Sequence, residues 1–187
     1  MENTNNKEFE IAIIGMGYVG LPLFLEFSKV YKTIGFDIDR KKIDKLKEEY
    51  NTSNMTYCSD DLLHSNFYII VVPTPIDSNN KPDLSCLLSA TETVAKILKK
   101  GDIVVYESTV YPGVTEELCI PILERISKLT VKKDFQIGYS PERINCNDNI
   151  HTIRNTVKIV SSNCDEALDI ISSVYQNIIM NNFKICL

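Results

Sequence analysis

Five short segments of this chain combine residue types that can bind or react. The first is Gly15-Met16-Gly17-Tyr18-Val19-Gly20, set between an apolar run and a helix-like stretch. Gly15 suits a tight turn, Gly17 lets a ligand approach the backbone, and Gly20 lets the helix pack close to the strand before it. The free N–H groups at such a helix start attract phosphate. The second segment ends at Asp37, about 20 residues on, where a carboxylate can accept the hydroxyls of a ribose and repel a 2′-phosphate. Glycine loop and acid together describe a seat for a dinucleotide, and for NAD rather than NADP. The third is Pro73-Thr74-Pro75, which aims one hydroxyl from a fixed backbone. The fourth is Glu107-Ser108-Thr109-Val110-Tyr111-Pro112-Gly113, a hydroxyl pair ahead of a Pro-Gly turn. The fifth is Ser140-Pro141-Glu142-Arg143, where Glu142 is placed to act as a base or to order a water.

Each segment also has a plainer reading. Asp37 could be a surface acid at a helix start, with Asp39 the true cap. Lys42, five positions after Asp37, faces either the adenine and phosphate side or solvent. Pro73-Thr74-Pro75 could simply end a strand, Ser108 and Thr109 could cap the next helix, and Glu142 could pair with Arg143 at the surface.

The elements that must position these segments alternate. Strands are expected over Phe9–Ile14, Lys32–Phe36, Met55–Cys58, Phe67–Val72, Ile103–Glu107, Phe135–Tyr139 and Val157–Ser161. Helices are expected over Tyr18–Val30, Asp39–Tyr50, Asp83–Lys100, Thr115–Lys128 and Asp165–Tyr175, with a helical turn at Asp60–Leu63. This order specifies an α/β fold, a doubly wound, Rossmann-like parallel sheet with helices on both faces. Ligands on such a sheet bind beyond the carboxyl ends of the strands. All five segments fall there, so all five should rim one crevice.

Composition narrows the function further. The chain has 187 residues, 44% of them hydrophobic and 24% charged, which suits one globular domain. A net charge of -5 argues against a nucleic-acid surface. No apolar run is long enough to span a bilayer and no secretory signal opens the chain, so the expected compartment is the cytoplasm. The 6 cysteines are spaced apart and the 2 histidines stand alone, so free thiols are expected rather than zinc or disulfides. Residues 1–8 read as a disordered leader, 9–180 as the domain and 181–187 as an atypical tail. A methyltransferase would carry an acid just before the first glycine, where this chain has Ile13-Ile14.

Taken together, the segments resemble the amino-terminal NAD-binding domain of the UDP-glucose/GDP-mannose (nucleotide-sugar) 6-dehydrogenases. The matching words are Gly15 to Pro22, Gly35 to Asp39, Val72 to Asp77, Pro82 to Ser85, Tyr106 to Gly113 and Gly138 to Asn145. The Ser-Pro-Glu-Arg-Ile-Asn form is most similar to the branch acting on UDP-N-acetylhexosamines for capsule and O-antigen. The resemblance implies NAD held by Gly15, Gly17, Tyr18, Val19, Gly20, Asp37, Lys42, Thr74, Pro75, Thr109 and Glu142, with Thr109 and Glu142 assisting the chemistry through an ordered water. It implies oxidation of a sugar C6 hydroxyl to a carboxylate with two NAD consumed, in a homodimer, through a thiohemiacetal on a cysteine.

Three departures stand out. The family's Gly-Gly-x-Cys segment has no counterpart in this chain, whose Cys119-Ile120-Pro121 lacks the flanking glycines and is expected to be a structural thiol. The chain alone is therefore expected to bind NAD without completing catalysis; a regulatory NAD-binding module or an inactive truncated product is the alternative. Cys146-Asn147-Asp148 replaces the branch's usual Pro-Gly-Asp. The connection from Tyr50 to Met55 is short.

Overall fold

The computed structural model describes residues 9–142 and 157–179, and the backbone of 184–185. The expected leader, Arg143 to Cys146 and most of the expected tail lie outside the described residues.

Phe67–Ile70 is wholly apolar and Glu10–Ile14 is apolar after its first residue, and they become the central strands β4 and β1. Burial on both faces is what removes the polar alternation from their sequences. Around them the strands β2 (Lys32–Phe36), β3 (Met55–Thr56), β5 (Ile103–Tyr106), β6 (Gln136–Tyr139), β7 (Ile159–Ser162) and β8 (Lys184–Ile185) complete one sheet. Their order is β3-β2-β1-β4-β5-β6-β7-β8. Helices α1 (Gly20–Phe27), α2 (Arg40–Glu49) and α5 (Asp165–Gln176) supply the apolar residues of one face. Helices α3 (Ser85–Ala95) and α4 (Ile120–Ser127) cover the other. The strand order reverses direction at β1 and β4, and a doubly wound sheet opens its ligand crevice at that point.

Local chemistry explains the boundaries. Asp39 caps α2 by accepting from the Lys42 N–H at 3.1 Å, and Ile43 and Leu46 form its buried stripe. Asp39 is thus the cap, which leaves Asp37 for another purpose. Pro121 has no N–H to donate, and the turn before it, Thr115–Cys119, widens to π geometry instead of continuing α4 backward. Cys119 is buried within that turn.

One expectation needs correction. Strands β1 to β6 pair in parallel, but β7 runs antiparallel to β6, with Tyr139 opposite Ser161. An antiparallel neighbour needs no helical crossover. The reversal has a positional consequence. The start of β7 lies where the parallel strands end, so Lys158, just before it, arrives behind the crevice at Glu107 and Glu142.

Candidate cofactor crevice

The glycine loop leaves β1 and turns at once into α1. Gly15 has φ +105, and a Cβ there would lie 2.6 Å from the Val71 carbonyl oxygen. A Cβ on Gly20 would collide with the Gly15 carbonyl, so the loop closes only with glycine at both places. Gly17 differs: a Cβ there meets nothing within 4 Å. The space above it is open for a ligand, not filled by protein. Val19 begins α1 without a side-chain cap, and the Leu21 N–H turns back to the Gly17 carbonyl at 3.0 Å, closing the loop onto the helix start.

Asp37 is fixed to this loop. Its Oδ2 accepts from the Met16 N–H at 3.0 Å and from Lys42 Nζ at 2.7 Å, and its Oδ1 accepts from the Asp39 N–H at 3.0 Å. A carboxylate offers about four lone-pair positions. One therefore stays open, and the Lys42 side chain, 40% exposed, covers another. Lys42 sits on the Asp37 carboxylate itself, which answers its two sequence readings with a third. Tyr18 is 65% exposed at the crevice edge.

At the end of β4, Thr74 donates its hydroxyl proton to the Thr109 carbonyl at 2.7 Å, tying the β4 and β5 loops together. Pro75 is held by the Asp83 N–H, which donates to its carbonyl at 2.7 Å. Ser108 does not cap a helix. Its hydroxyl accepts from the Val72 N–H at 2.9 Å and donates to the Val72 carbonyl at 2.8 Å, extending the β4–β5 contact beyond the strands. Thr109 is exposed on the crevice wall.

Glu142 lines the far end, where Lys158 is one of its partners; Arg143 lies outside the described residues. Lys158 Nζ donates to Glu142 Oε2 at 2.8 Å and to Glu107 Oε2 at 2.7 Å. The Tyr175 hydroxyl donates to the other Glu107 oxygen, and Lys158 Nζ lies 5.4 Å from the Tyr175 ring centroid. Glu107 and Lys158 are 1% and 4% exposed. Burial alone would lower the Lys158 value, but the Glu107 and Glu142 carboxylates outweigh it and hold the ammonium above its ordinary range. Burial raises Glu107, opposed by Lys158 and reinforced by Glu142. Both Glu107 oxygens accept from groups that carry their own protons, so this geometry satisfies the carboxylate form. Burial first, then the Glu107 charge, pushes the Tyr175 phenol well up. The signal in the sequence was faint: Lys158 is one charge inside Val157-Lys158-Ile159-Val160.

These segments enclose one crevice of about 1240 Å³, larger than the roughly 300–1,000 Å³ typical of drug-sized ligands. Helix α3 adds Ser85, Cys86, Ser89 and Thr93 to its lining. Asp37 follows β2 and Glu142 follows β6, four inter-strand steps apart, or roughly 19 Å at ~4.8 Å per step. An elongated, doubly phosphorylated ligand with a ribose at one end suits that span.

The NAD binding domain of the UDP-glucose/GDP-mannose dehydrogenase family matches residues 9–53 and 49–179. The chain belongs to this family. It is 48% identical over 187 residues to the UDP-N-acetyl-D-glucosamine 6-dehydrogenase of Salmonella typhi, covering 92% of this chain and 44% of that one. The enzyme of the same name from Pseudomonas aeruginosa is 43% identical over 92% of this chain and 44% of its own length. A solved UDP-D-ManNAc dehydrogenase from Pyrococcus horikoshii superimposes with a TM-score of 0.85 at 30% identity, covering 95% of this chain and 46% of that chain. The chain thus spans less than half the length of these relatives. As this family's NAD-binding domain it takes NAD as cofactor, and the open space over Gly17 and the carboxylate of Asp37 fit that group.

Among the described residues the free cysteines are Cys58, Cys86, Cys119 and Cys164, and no cluster could hold a metal. Burial pushes the Cys119 thiol up, as befits a core residue. No helix among them is long and apolar enough to cross a membrane.

Proposed function

We propose that this chain is the cofactor half of an NAD-dependent dehydrogenase that oxidises the C6 hydroxyl of a UDP-N-acetylhexosamine to a carboxylate, for surface-polysaccharide precursors. The observation that carries this reading is the two-ended crevice, with Asp37 and the glycine loop at one end and the buried Glu142 cluster at the other. The names of the relatives at 43% and 48% identity supply the substrate class.

In this reading Asp37 takes the adenosine ribose as Lys42 moves off its oxygen. Tyr18 and Val19 border the pyrophosphate, and their loop N–H groups hold it. Pro75 and Thr74 line the middle. Thr109 and Glu142 border the nicotinamide end, where Glu142 orders a water or accepts the proton of the sugar hydroxyl. NAD supplies the hydride acceptor when bound. The thiol chemistry belongs to a segment outside this domain, since Cys119 is sealed in the core. The whole enzyme is a homodimer working in the cytoplasm on a UDP-sugar.

Calorimetry with NAD, NADP and ADP-ribose tests the cofactor half. NAD and ADP-ribose should bind and NADP should bind more weakly, while Gly17→Val should abolish binding without lowering stability by more than about 0.5 kcal/mol. Joining the chain to the carboxyl-terminal half of the Salmonella typhi relative tests the substrate. NAD reduction with UDP-N-acetylglucosamine is the expected result. Turnover of UDP-glucose alone would overturn the proposed branch.

A further inference from the structure

The adenosine end of the crevice carries two carboxylates, and their partners set them apart. Asp37 is 8% exposed, and Lys42 Nζ lies 2.7 Å from its Oδ2. Lys42 belongs to the first turn of α2, so its ammonium stays at this end even when it leaves that oxygen. To a group a few ångströms away the two opposite charges largely cancel. Asp39, two residues on, is exposed and lines the same crevice. Its Oδ1 accepts from the Lys42 N–H at 3.1 Å, which fixes the side chain at the start of α2. Among the described residues no ammonium or guanidinium pairs with it. The two cations that follow it give no compensation inside the crevice. Neither Arg40 nor Lys41 lines it, and Arg40 lies 3.6 Å from the Asp44 carboxylate and 5.1 Å from the Tyr57 ring centroid.

NAD and NADP differ by one group, the 2′-phosphate on the adenosine ribose. The spacing rule gives Asp37 two tasks, holding the ribose hydroxyls and repelling that phosphate. The ion pair with Lys42 separates them, because an acid matched by its own lysine can still accept hydrogen bonds but repels an anion weakly. The start of a helix would otherwise attract a phosphate, and here a carboxylate already stands there. We propose that Asp39 is the residue that excludes the 2′-phosphate: Asp37 reads the ribose, Lys42 cancels its charge, and the cap carboxylate of Asp39 supplies the negative charge that remains. This rests on the NAD-dehydrogenase reading above.

The test is the ratio of the NADP and NAD dissociation constants of this chain, measured by calorimetry alongside ADP-ribose. The ratio is independent of the folded fraction, so a partly unfolded variant still reports. Asp39→Asn removes the charge and keeps the cap, since asparagine caps a helix about as well as aspartate. It should lower the ratio about fivefold or more, the effect of one pair of unit charges at contact distance even in water. Its affinities for NAD and ADP-ribose should stay within about twofold of wild type. Lys42→Met uncovers the Asp37 charge and should raise the ratio by a similar factor. The wild-type ratio should fall as salt is raised, because Asp39 is exposed. An Asp39→Asn ratio within about twofold of wild type overturns the inference, as does a Lys42→Met ratio that does not rise or a wild-type chain that binds NADP as tightly as NAD. If wild-type chain binds neither ADP-ribose nor NAD, the cofactor reading falls with it; if both bind and Asp39→Asn leaves the ratio in place, only the role of Asp39 falls.

Discussion

The two ends of the crevice hold carboxylates by opposite means. Asp37 is fixed by neighbours in sequence: Lys42 and Asp39 are within five residues, and Met16 belongs to the adjoining strand's loop. Its lysine is partly exposed. Glu142 is fixed by a lysine 16 positions away that also reaches Glu107, 51 positions from it, with Tyr175 behind. The side chains of Glu107, Lys158 and Glu142 are at most 8% exposed, and Tyr175 is buried. An exposed pair can exchange its partner for a ligand at little cost, whereas a buried one holds its charge in a set position. The crevice thus has one adaptable end and one rigid end.

The widest gap between the ends should appear on removing a lysine. Lys158→Met removes the ammonium from the buried Glu107 carboxylate and should cost about 3–5 kcal/mol of stability in urea unfolding. A loss below 1 kcal/mol would mean that the rigid end is no more rigid than the other. Alkaline titration sharpens the same point. Lys158 and Tyr175 are both raised above their ordinary values of 10.5 and 10.0. The folded state therefore holds their protons more tightly than the unfolded chain does. Their stabilisation is complete below about pH 10 and is lost as pH rises through the folded values, by about 1.4 kcal/mol per pH unit for each group, or roughly 3 kcal/mol together. Burial raises Tyr68 and Tyr106 as well, in the same direction. Phenolate absorbance from these tyrosines should rise together with loss of circular dichroism, and ionisation of all of them before unfolding would contradict their burial.

At the adaptable end the effects move from stability to affinity. Asp37→Asn should weaken NAD binding by about 1.5–3 kcal/mol, which calorimetry reads as roughly 10- to 150-fold. The amide oxygen still accepts from Met16, so the fold should hold. The smallest change belongs to Lys42→Ala, within about 1 kcal/mol of wild-type stability, because the pair it breaks is exposed on the lysine side. A loss from Lys42→Ala equal to that from Lys158→Met would erase the distinction between the ends.

Much of the adaptable end was legible before any fold was known. The glycine spacing, the apolar run ahead of it and Asp37 at the end of the next strand are local features. Strand and helix alternation then gave the doubly wound sheet, and β2 and α2 came out close to their expected limits. The fate of Ser108 was not readable, since a serine after a strand looks like a cap until a second strand lies beside it. Nor was that of Lys158. Read as part of one more parallel strand, Val157–Ser161 would start at the opposite edge of the sheet, with its lysine remote from the crevice.

The sequence alone therefore determined the cofactor seat, because a tight turn, a helix start and an acid one strand away are set by residues close along the chain. Tertiary structure alone decided the buried end of the crevice. The antiparallel pairing of β7 with β6 brought Lys158 to the carboxyl ends of the parallel strands, where burial left Glu107 and Glu142 as its partners. Local spacing says where a charge lies along the chain, but only long-range pairing decides which charge it meets out of reach of water.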